Sequence, residues 1–248
     1  MRVGCDLDGV LADLHRSFTG IAAGLFPELD LASLNPSDIA ASPPDDEDDR
    51  AKEREQSEIP APAGERPVPM TRRQVDEVWR YIAGVENFWE SLEEIEAGSV
   101  KKLATIAEAE NWEVIFLTSR PRCEGRTLQR QTQLWLNKLG FPLPSVYVVH
   151  RSRGMIADAL GLDVVIDDRP ENCLDVALES KARAILVWRG SASGVPSSAK
   201  RLGIGLVPSF AACLDLIVEA QKAADTPVDF TQRLRRLLGL QPRSATKA

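Results

Sequence analysis

The amino-terminal stretch of this chain is a short apolar run that ends in two carboxylates at alternate positions. Residues 3–5 are followed by Asp6 and Asp8, and Gly9 comes directly after the second acid. Such a run is typical of a buried β-strand that stops at a charged edge. Burying carboxylates there is costly unless a cation or a proton accompanies them, so this strand end predicts a site and not a plain turn.

A second acidic pair stands at the end of another apolar run. Asp167 and Asp168 follow the apolar residues 164–166. Two unit charges about 4 Å apart repel by roughly 4 kcal/mol at an effective dielectric of about 20, so several such pairs need a counter-ion. All-oxygen ligands favour Mg²⁺, which usually shares a phosphate of the substrate. The two strand ends therefore predict a magnesium site associated with phosphate chemistry.

From residue 99 onward, segments with helical periodicity alternate with short apolar strands. The predicted helices span 99–109, 125–139, 154–160, 170–180 and 209–222, and the predicted strands span 113–118, 145–149, 163–166, 182–188 and 204–207. This alternation implies right-handed crossovers and a parallel sheet that is covered on both faces. We therefore predict an α/β fold, with a Rossmann-like parallel sheet and helices on both faces.

Residues 14–98 do not follow that alternation and predict a mainly helical cap inserted after the first strand. Helical pieces are expected at 11–25, 71–84 and 88–95, and an acidic, proline-rich loop covers about 40–69. A segment so poor in apolar residues offsets its ordering entropy badly. It is either a mobile loop of the cap or a surface insertion without a role. Residues 1–13 and 99–222 form the predicted core.

The carboxyl-terminal residues, 223–248, have the pattern of an amphipathic helix followed by a tail. The apolar side chains of Phe230, Leu234, Leu237 and Leu238 are interspersed with arginines. We expect this helix to dock on the body of the protein. The alternative is a helix that binds a partner or a membrane.

Composition narrows the functional class. The chain has 248 residues and a formal net charge of -7, which argues against a general binder of nucleic acid polymers. No apolar run approaches the roughly 20 residues that span a bilayer, and no signal segment precedes the first strand, so a cytoplasmic protein is expected. The four cysteines form no C-x-x-C pair and there are two histidines, which leaves little for a zinc or Ser-His site.

Polar residues end three of the predicted strands. Besides the two acidic pairs, Thr118 ends the strand at 113–118, and Ser119 and Arg120 follow it. The carboxyl ends of parallel strands share one edge, where ligands bind in sheets of this class. The three strand ends are therefore expected to meet at one site.

These residues resemble the four motifs of the haloacid dehalogenase (HAD) superfamily. The matching parts are Asp-Leu-Asp-Gly-Val at 6–10, Thr118 after an apolar strand, a basic residue before a short helix, and the pair Asp167-Asp168, in that order within residues 1–220. The chain is similar to phosphatases of the 5'-deoxyribonucleotidase-like branch, which carry a cap between the first two motifs. The resemblance implies a Mg²⁺-dependent phosphomonoester hydrolase that works through an aspartyl-phosphate.

The resemblance also implies roles for the four acidic residues. Asp6 would be the nucleophile, and Asp8 would protonate the leaving alkoxide and then activate water. The metal would be held by the side chain of Asp6, the backbone carbonyl of Asp8 and the carboxylate of Asp167, with Asp168 as a ligand either directly or through a water molecule. The Asp8 carboxyl is then free for proton transfer.

Polar residues of the second and third motifs would bind the phosphate. Thr118 would hydrogen-bond the phosphoryl oxygens as part of the catalytic set, and Ser119 and Arg120 are predicted to bind the substrate. The alternative for Ser119 is that it caps the segment that follows. The third motif usually has a lysine, whereas this chain has Arg153 at the matching position and Arg151 as a rival nearby. An arginine is chemically able to fill that role because it is always charged and binds phosphate in a fork.

The substrate stays open at this level. A small phosphorylated metabolite is expected, with a (deoxy)nucleoside monophosphate as one candidate and a sugar or other phosphate, taken by a phosphatase or phosphotransferase, as an alternative. Aromatic residues of the cap either stack on a nucleobase or form the cap's own core: Trp79, Tyr81, Phe88 and Trp89. A non-catalytic protein that binds a phosphorylated ligand is the alternative from another class. A homo-oligomer is compatible with each reading.

Overall fold

Six short strands in the described part of the chain form one parallel sheet. The computed structural model describes residues 1–39, 69–149, 151–191, 194–222, 234 and 238–239. The strands are β1 (Arg2–Asp6), β2 (Glu113–Thr118), β3 (Ser145–Val148), β4 (Val164–Asp167), β5 (Arg183–Val187) and β6 (Gly205–Val207). Their order is β3-β2-β1-β4-β5-β6, and every neighbouring pair is parallel. The predicted α/β fold is confirmed.

The strand register brings the ends of β1, β2 and β4 to the same edge of the sheet. Asp6 lies opposite the penultimate residue of β2, so Thr118 lies one residue beyond it. Cys5 lies opposite Ile166 of β4, which puts Asp6 beside Asp167. β4 is buried along its whole length, as expected for a central strand of a sheet that is covered on both faces.

Helices lie in the inserted segment and between the strands. They are α1 (Leu14–Leu25), α2 (Arg72–Ala83), α3 (Ser99–Ala109), α4 (Leu128–Lys138), α5 (Arg153–Ala159), α6 (Pro170–Glu179), α7 (Ser197–Arg201) and α8 (Phe210–Lys222). The helix predicted to start at residue 125 starts at Leu128, because the Thr127 side chain accepts a hydrogen bond from the Arg130 backbone N–H and caps it. The short helix α7 has no counterpart in the sequence prediction.

The chain leaves the sheet after β1 and returns beside its own outgoing path. The backbone N–H of Ile95 donates to the carbonyl of Leu11 at 2.8 Å, within a short antiparallel contact. The helix predicted over 88–95 is therefore wrong. Helical geometry stops after one 3-10 turn, Phe88–Glu90, because the residues that follow pair with the outgoing chain instead.

The hydrophobic core continues from the sheet into the inserted segment. Phe116 of β2, Trp135 of α4, Phe18 of α1 and Trp89 belong to one cluster of buried side chains, and each is at most 2% exposed. A second cluster, around Leu117, covers the other face of the sheet. Fully burying one such side chain contributes about 1.5–3 kcal/mol. The inserted segment is thus held to the sheet by shared apolar packing.

Two side chains of the carboxyl-terminal tail lie within the described residues. Leu234 is buried, and Leu238 packs, partly buried, against the same core as the sheet. The rest of the predicted tail helix and almost all of the acidic loop lie outside the described residues. None of the helices in the described ranges is both long and apolar enough to cross a bilayer. The division into core and cap, the cytoplasmic location and the oligomeric state stay predictions.

Candidate active site

Three carboxylates from two neighbouring strand ends form a buried acidic cluster. Asp6 ends β1, Asp167 ends β4 and Asp168 follows it directly. One carboxylate oxygen of each lies within 4.8 Å of the others, and Asp6 and Asp167 are 7% and 0% exposed. The cluster offers the all-oxygen ligands that a hard divalent cation takes. The Asp8 carboxylate is outside this cluster, and the metal contact predicted through its backbone carbonyl stays a prediction.

Burial and mutual repulsion raise the pKa values of these acids. Burial is the main cause at Asp6, where the charge of Asp167 adds to it and the charge of Arg153 opposes it. Burial also raises the pKa of Asp167, again against Arg153. At Asp168, burial and the charge of Asp167 raise the pKa to about 8. Burial disfavours the charged form of all three carboxylates, and a bound cation offsets that cost, so the cluster fits a divalent metal ion.

A buried arginine faces the acidic cluster. Arg153 is the first residue of α5, whose start is capped by the Ser152 side chain. Its Nη2 donates to Asp6 Oδ1 at 2.6 Å, and its Nε lies 3.7 Å from Asp167 Oδ2. The rival, Arg151, is exposed. Of the two arginines that the sequence left open, the structure places Arg153 against the predicted nucleophile.

Asn172 is a residue of the site that the sequence pattern did not single out. Its Nδ2 donates to both carboxylate oxygens of Asp167, at 3.1 and 3.0 Å. The backbone N–H of Arg169 donates to Asp167 Oδ1 at 2.9 Å. These bonds fix the orientation of the Asp167 carboxylate. The available signal is the position of Asn172 in the first turn of α6, four residues after Asp168.

The Asp8 carboxylate is paired with Arg120. The guanidinium Nε donates to Oδ2 and Nη2 donates to Oδ1, both at 2.8 Å, and Nη1 donates to Thr132 Oγ1 at 3.1 Å. The guanidinium carbon lies 4.7 Å from the ring centroid of Trp89 and 5.9 Å from that of Trp135. Arg120 is 2% exposed. The structure thus gives Arg120 partners inside the protein, and the substrate contact expected for it stays a prediction.

Three buried polar atoms at this edge have no hydrogen-bond partner within the described ranges. They are Thr118 Oγ1, Arg153 Nη1 and Asp168 Oδ1. A buried polar group left unpaired costs about 1–3 kcal/mol, so native proteins rarely leave several together without a ligand. The hydroxyl and the guanidinium donate to phosphate oxygens, and the carboxylate oxygen binds a cation. Together the three atoms fit a phosphate group and a divalent cation.

A glycine makes room for the acidic pair. Gly9 has a φ of +86°, and a Cβ at this position would lie 1.9 Å from Asp168 Oδ2. Arg189, just after β5, donates to the backbone carbonyls of Gly9 and Val10. The turn that follows Asp8 is therefore fixed from one side by Arg189 and leaves space for Asp168 on the other.

The remaining residues expected near a substrate divide into buried and exposed groups. Ser119 is exposed beside the site. Trp89 and Phe88 are buried, and the indole N–H of Trp79 donates to the backbone carbonyl of Ile39 at 3.0 Å, within the inserted segment. These three aromatics form part of the core, which favours the second of the two alternatives given for them. Tyr81, in contrast, is 53% exposed.

Comparison with known proteins supports the fold class. No family model and no curated protein matches the sequence. An HAD family hydrolase from Deinococcus radiodurans R1, with bound phosphate and sodium, is similar over 92% of this chain and 98% of that chain, with a TM-score of 0.52 and 19% identity. A haloacid dehalogenase-like family hydrolase from Xanthomonas campestris is similar over 95% and 94%, with a TM-score of 0.44 and 17% identity. The similarity to the first of these structures shows that the chain has the HAD fold.

Proposed function

We propose that this protein is a Mg²⁺-dependent hydrolase of phosphate monoesters that works through an aspartyl-phosphate on Asp6. The main support for the proposal is that buried carboxylates and buried hydrogen-bond donors without a partner lie together at one edge of the sheet. Three crowded carboxylates need a cation, while Thr118 Oγ1 and Arg153 Nη1 are buried donors without an acceptor. A phosphate ester bound with a divalent metal ion meets both needs. The bound phosphate in the similar Deinococcus radiodurans hydrolase is consistent with this proposal.

In the first step, a carboxylate oxygen of Asp6 attacks phosphorus and the ester P–O bond breaks. The leaving alkoxide takes a proton from the carboxyl group of Asp8, and the phosphoryl group stays on Asp6. Arg153 neutralises charge on Asp6 and donates to the phosphoryl oxygens together with Thr118. A Mg²⁺ ion held by Asp6, Asp167 and Asp168 would neutralise charge on the phosphoryl oxygens.

In the second step, water releases the phosphate. The Asp8 carboxylate takes a proton from the water, whose oxygen attacks phosphorus, and the bond between phosphorus and the Asp6 oxygen breaks. Inorganic phosphate leaves, and both aspartates return to their starting protonation states. Splitting one difficult displacement into two easier ones is the advantage of a carboxylate nucleophile.

The proposed substrate is a small phosphorylated metabolite, with (deoxy)nucleoside monophosphates as the first class to test. This choice rests on the sequence resemblance to the 5'-deoxyribonucleotidase-like branch. The burial of Trp89 and Phe88 removes two aromatics as base-stacking surfaces and leaves Tyr81 as the exposed one. Parallel turnover assays on nucleoside monophosphates and sugar phosphates decide between this class and the alternative.

Hydrolysis of 4-nitrophenyl phosphate tests the proposed reaction. We expect turnover with Mg²⁺, loss of turnover with a chelator, and recovery when Mg²⁺ is added back. Asp6→Asn removes the nucleophile and is expected to abolish turnover. The control variant, Asp158→Asn, changes an exposed acid on α5 and is expected to turn over the ester at the wild-type rate. No metal-dependent turnover by the wild type, together with unchanged behaviour of Asp6→Asn, supports the non-catalytic alternative instead.

A further inference from the structure

Arg120 is a buried arginine whose main hydrogen-bond partner is the Asp8 carboxylate. Its side chain is 0% exposed, against 19% for the Asp8 carboxylate with which it pairs. Each of its three guanidinium nitrogens already donates a hydrogen bond, two of them to Asp8 and the third to Thr132. The two remaining N–H groups lie on a side chain that is completely covered, so a substrate phosphate reaches them only if the packing around the guanidinium opens.

The surroundings of Arg120 hold the guanidinium in one orientation. It lies against the ring of Trp89, at 4.7 Å, with Trp135 at 5.9 Å. Trp89 is fixed in turn, because its indole N–H donates to the Pro121 carbonyl at 3.1 Å. The Trp135 indole N–H donates to the Leu92 carbonyl at 2.7 Å. This bond connects α4 to residues 91–98, the linker by which the chain returns from the inserted segment to the sheet region. The planar guanidinium is therefore held between the inserted segment and the core.

A purely structural role explains this arrangement poorly. Burying an ion pair costs desolvation of both charges, and a well-packed apolar pair of similar volume is often as stable. Here one partner, Asp8, keeps part of its carboxylate exposed at the site edge while the other is completely covered. Only a planar fork of donors grips both carboxylate oxygens at once, which a lysine ammonium does not do. The pair is thus built to orient a carboxylate that acts elsewhere.

We propose that Arg120 is a positioning residue, which holds the Asp8 carboxyl group through Oδ1 while Oδ2 exchanges a proton with the leaving-group oxygen. Oδ1 accepts from both Nη2 and Nε, so it stays held when Oδ2 is protonated and gives up its own bond from Nε. This inference rests on the proposed function, in which Asp8 carries that proton. It replaces the substrate-binding role that the sequence resemblance suggests for Arg120. The two roles predict different kinetics. A residue that binds the phosphate group contributes equally to the turnover of every phosphate ester, whereas a residue that positions the general acid matters only where the leaving group needs a proton.

The leaving group separates the two roles. The 4-nitrophenolate anion leaves without protonation, whereas the alkoxide of benzyl phosphate needs a proton in the transition state. The ratio kcat/KM reports the steps up to formation of the aspartyl-phosphate, where only the leaving group differs between the two esters. If Arg120 positions Asp8, its loss lowers kcat/KM for benzyl phosphate much more than for 4-nitrophenyl phosphate.

The test compares Arg120→Lys and Thr132→Val with the wild type, all with Mg²⁺ and both esters. Arg120→Lys keeps the charge but loses the fork, and we expect kcat/KM for benzyl phosphate to fall by about 10- to 100-fold while 4-nitrophenyl phosphate loses less than about threefold. Thr132→Val removes only the acceptor of Nη1, so it is a milder change and should shift the ratio in the same direction. With 4-nitrophenyl phosphate as substrate, neither variant should raise KM above the wild-type value.

Arg126→Lys is the matched control. It alters an exposed arginine of the loop after β2, which pairs with Glu90 outside the site. We expect no change in the ratio of the two kcat/KM values. Equal losses for both esters in Arg120→Lys and Thr132→Val, or a rise in KM for both, overturn the positioning role. An inactive wild type overturns the proposed function itself, and an active wild type with a non-selective loss overturns the Arg120 inference alone.

Discussion

Arg153 contacts Asp6, the predicted nucleophile, through a short hydrogen bond. Nη2 lies 2.6 Å from Asp6 Oδ1, and Nη1 is buried without a partner among the described residues. In the proposed mechanism, one nitrogen steadies the nucleophile and the other binds a phosphoryl oxygen. Both effects are strongest when negative charge builds up on the phosphoryl oxygens in the transition state.

Replacing Arg153 should damage turnover far more than replacing Arg151. We expect Arg153→Ala to lower kcat by about 10²- to 10³-fold, the range seen when a donor to transition-state charge is removed. Arg151→Ala changes an exposed residue and should stay within about twofold of the wild type. Steady-state assays with 4-nitrophenyl phosphate and Mg²⁺ measure both. Small and equal effects of the two variants contradict the role given to Arg153.

Metal binding should be visible in thermal stability as well as in turnover. Without metal, the pKa of Asp168 is raised to about 8 because the buried carboxylate lies beside Asp167. The folded state therefore holds a proton more tightly than the unfolded chain. The stability that Asp168 contributes is complete below its ordinary pKa and is lost as the pH rises towards about 8.

Mg²⁺ replaces that proton, so its stabilising effect should grow with pH. We expect the rise in Tm on adding Mg²⁺ to be larger at about pH 8 than at about pH 6, since the ligands must lose their protons to bind. Differential scanning fluorimetry with and without Mg²⁺ measures this rise. The Asp168→Asn variant should show a smaller rise in Tm with Mg²⁺ than the wild type. A rise in Tm that is equal in both proteins and at both pH values contradicts metal binding by Asp168.

At the scale of elements, two linkers join the inserted segment to the sheet, and one ion pair bridges them. Arg189 donates to backbone carbonyls of the outgoing linker after β1 and to Glu96 Oε1 of the returning linker at 2.9 Å. Glu96 also accepts hydrogen bonds from the first two backbone N–H groups of α8, at 2.7 and 2.9 Å. A carboxylate at a helix N-terminus satisfies donors that the helix itself leaves unpaired.

Glu96→Gln should therefore destabilise the fold by about 1 kcal/mol at neutral pH. Although burial alone would raise the pKa of Glu96, the bonds from α8 and Arg189 outweigh it and lower the pKa. The contribution of Glu96 is thus present above its ordinary pKa and is lost as the pH falls through the lowered value. The difference in unfolding free energy between wild type and variant, measured with urea, should shrink in acid.

Glu93→Gln provides the control at this scale. Glu93 pairs with Arg16 at 2.7 Å, but both side chains are mostly exposed. Exposed ion pairs are worth about 0–1 kcal/mol, so the variant should stay close to the wild type. If Glu93→Gln lowers the free energy of unfolding at neutral pH as much as Glu96→Gln does, the contacts of Glu96 with Arg189 and α8 do not stabilise the fold more than an exposed ion pair does.

The secondary structure of the sheet region could be predicted because its signals are local. Helix α3 and strand β2 have the predicted bounds, since the hydrophobic pattern that defines each of them lies inside the segment itself. The helix predicted over 88–95 failed because a tertiary contact, the bond from Ile95 to Leu11, determines the backbone there. Such a contact leaves no local signal for a pattern to detect.

At the scale of the whole molecule, the sheet brings distant residues to one edge. Asp6 and Arg153 are 147 positions apart and Asp8 and Arg120 are 112 apart, yet each pair is in direct contact. The meeting of the three strand ends could be predicted, because parallel strands share their carboxyl edge. The partners of individual side chains could not, because the pairing of Arg120 with Asp8 depends on packing around Trp89 and Trp135.

If Asp6 carries the phosphoryl group during turnover, the aspartyl-phosphate can be trapped and located in the chain. Wild type, Asp6→Asn and Asp8→Asn are mixed with 4-nitrophenyl phosphate and Mg²⁺, quenched in acid within the first turnovers, and analysed by peptide mass spectrometry. We predict one phosphoryl group on the peptide that contains Asp6, most abundant in Asp8→Asn, where release by water is slowed because its general base is missing. A phosphoryl group on another residue, or full turnover by Asp6→Asn, contradicts the account.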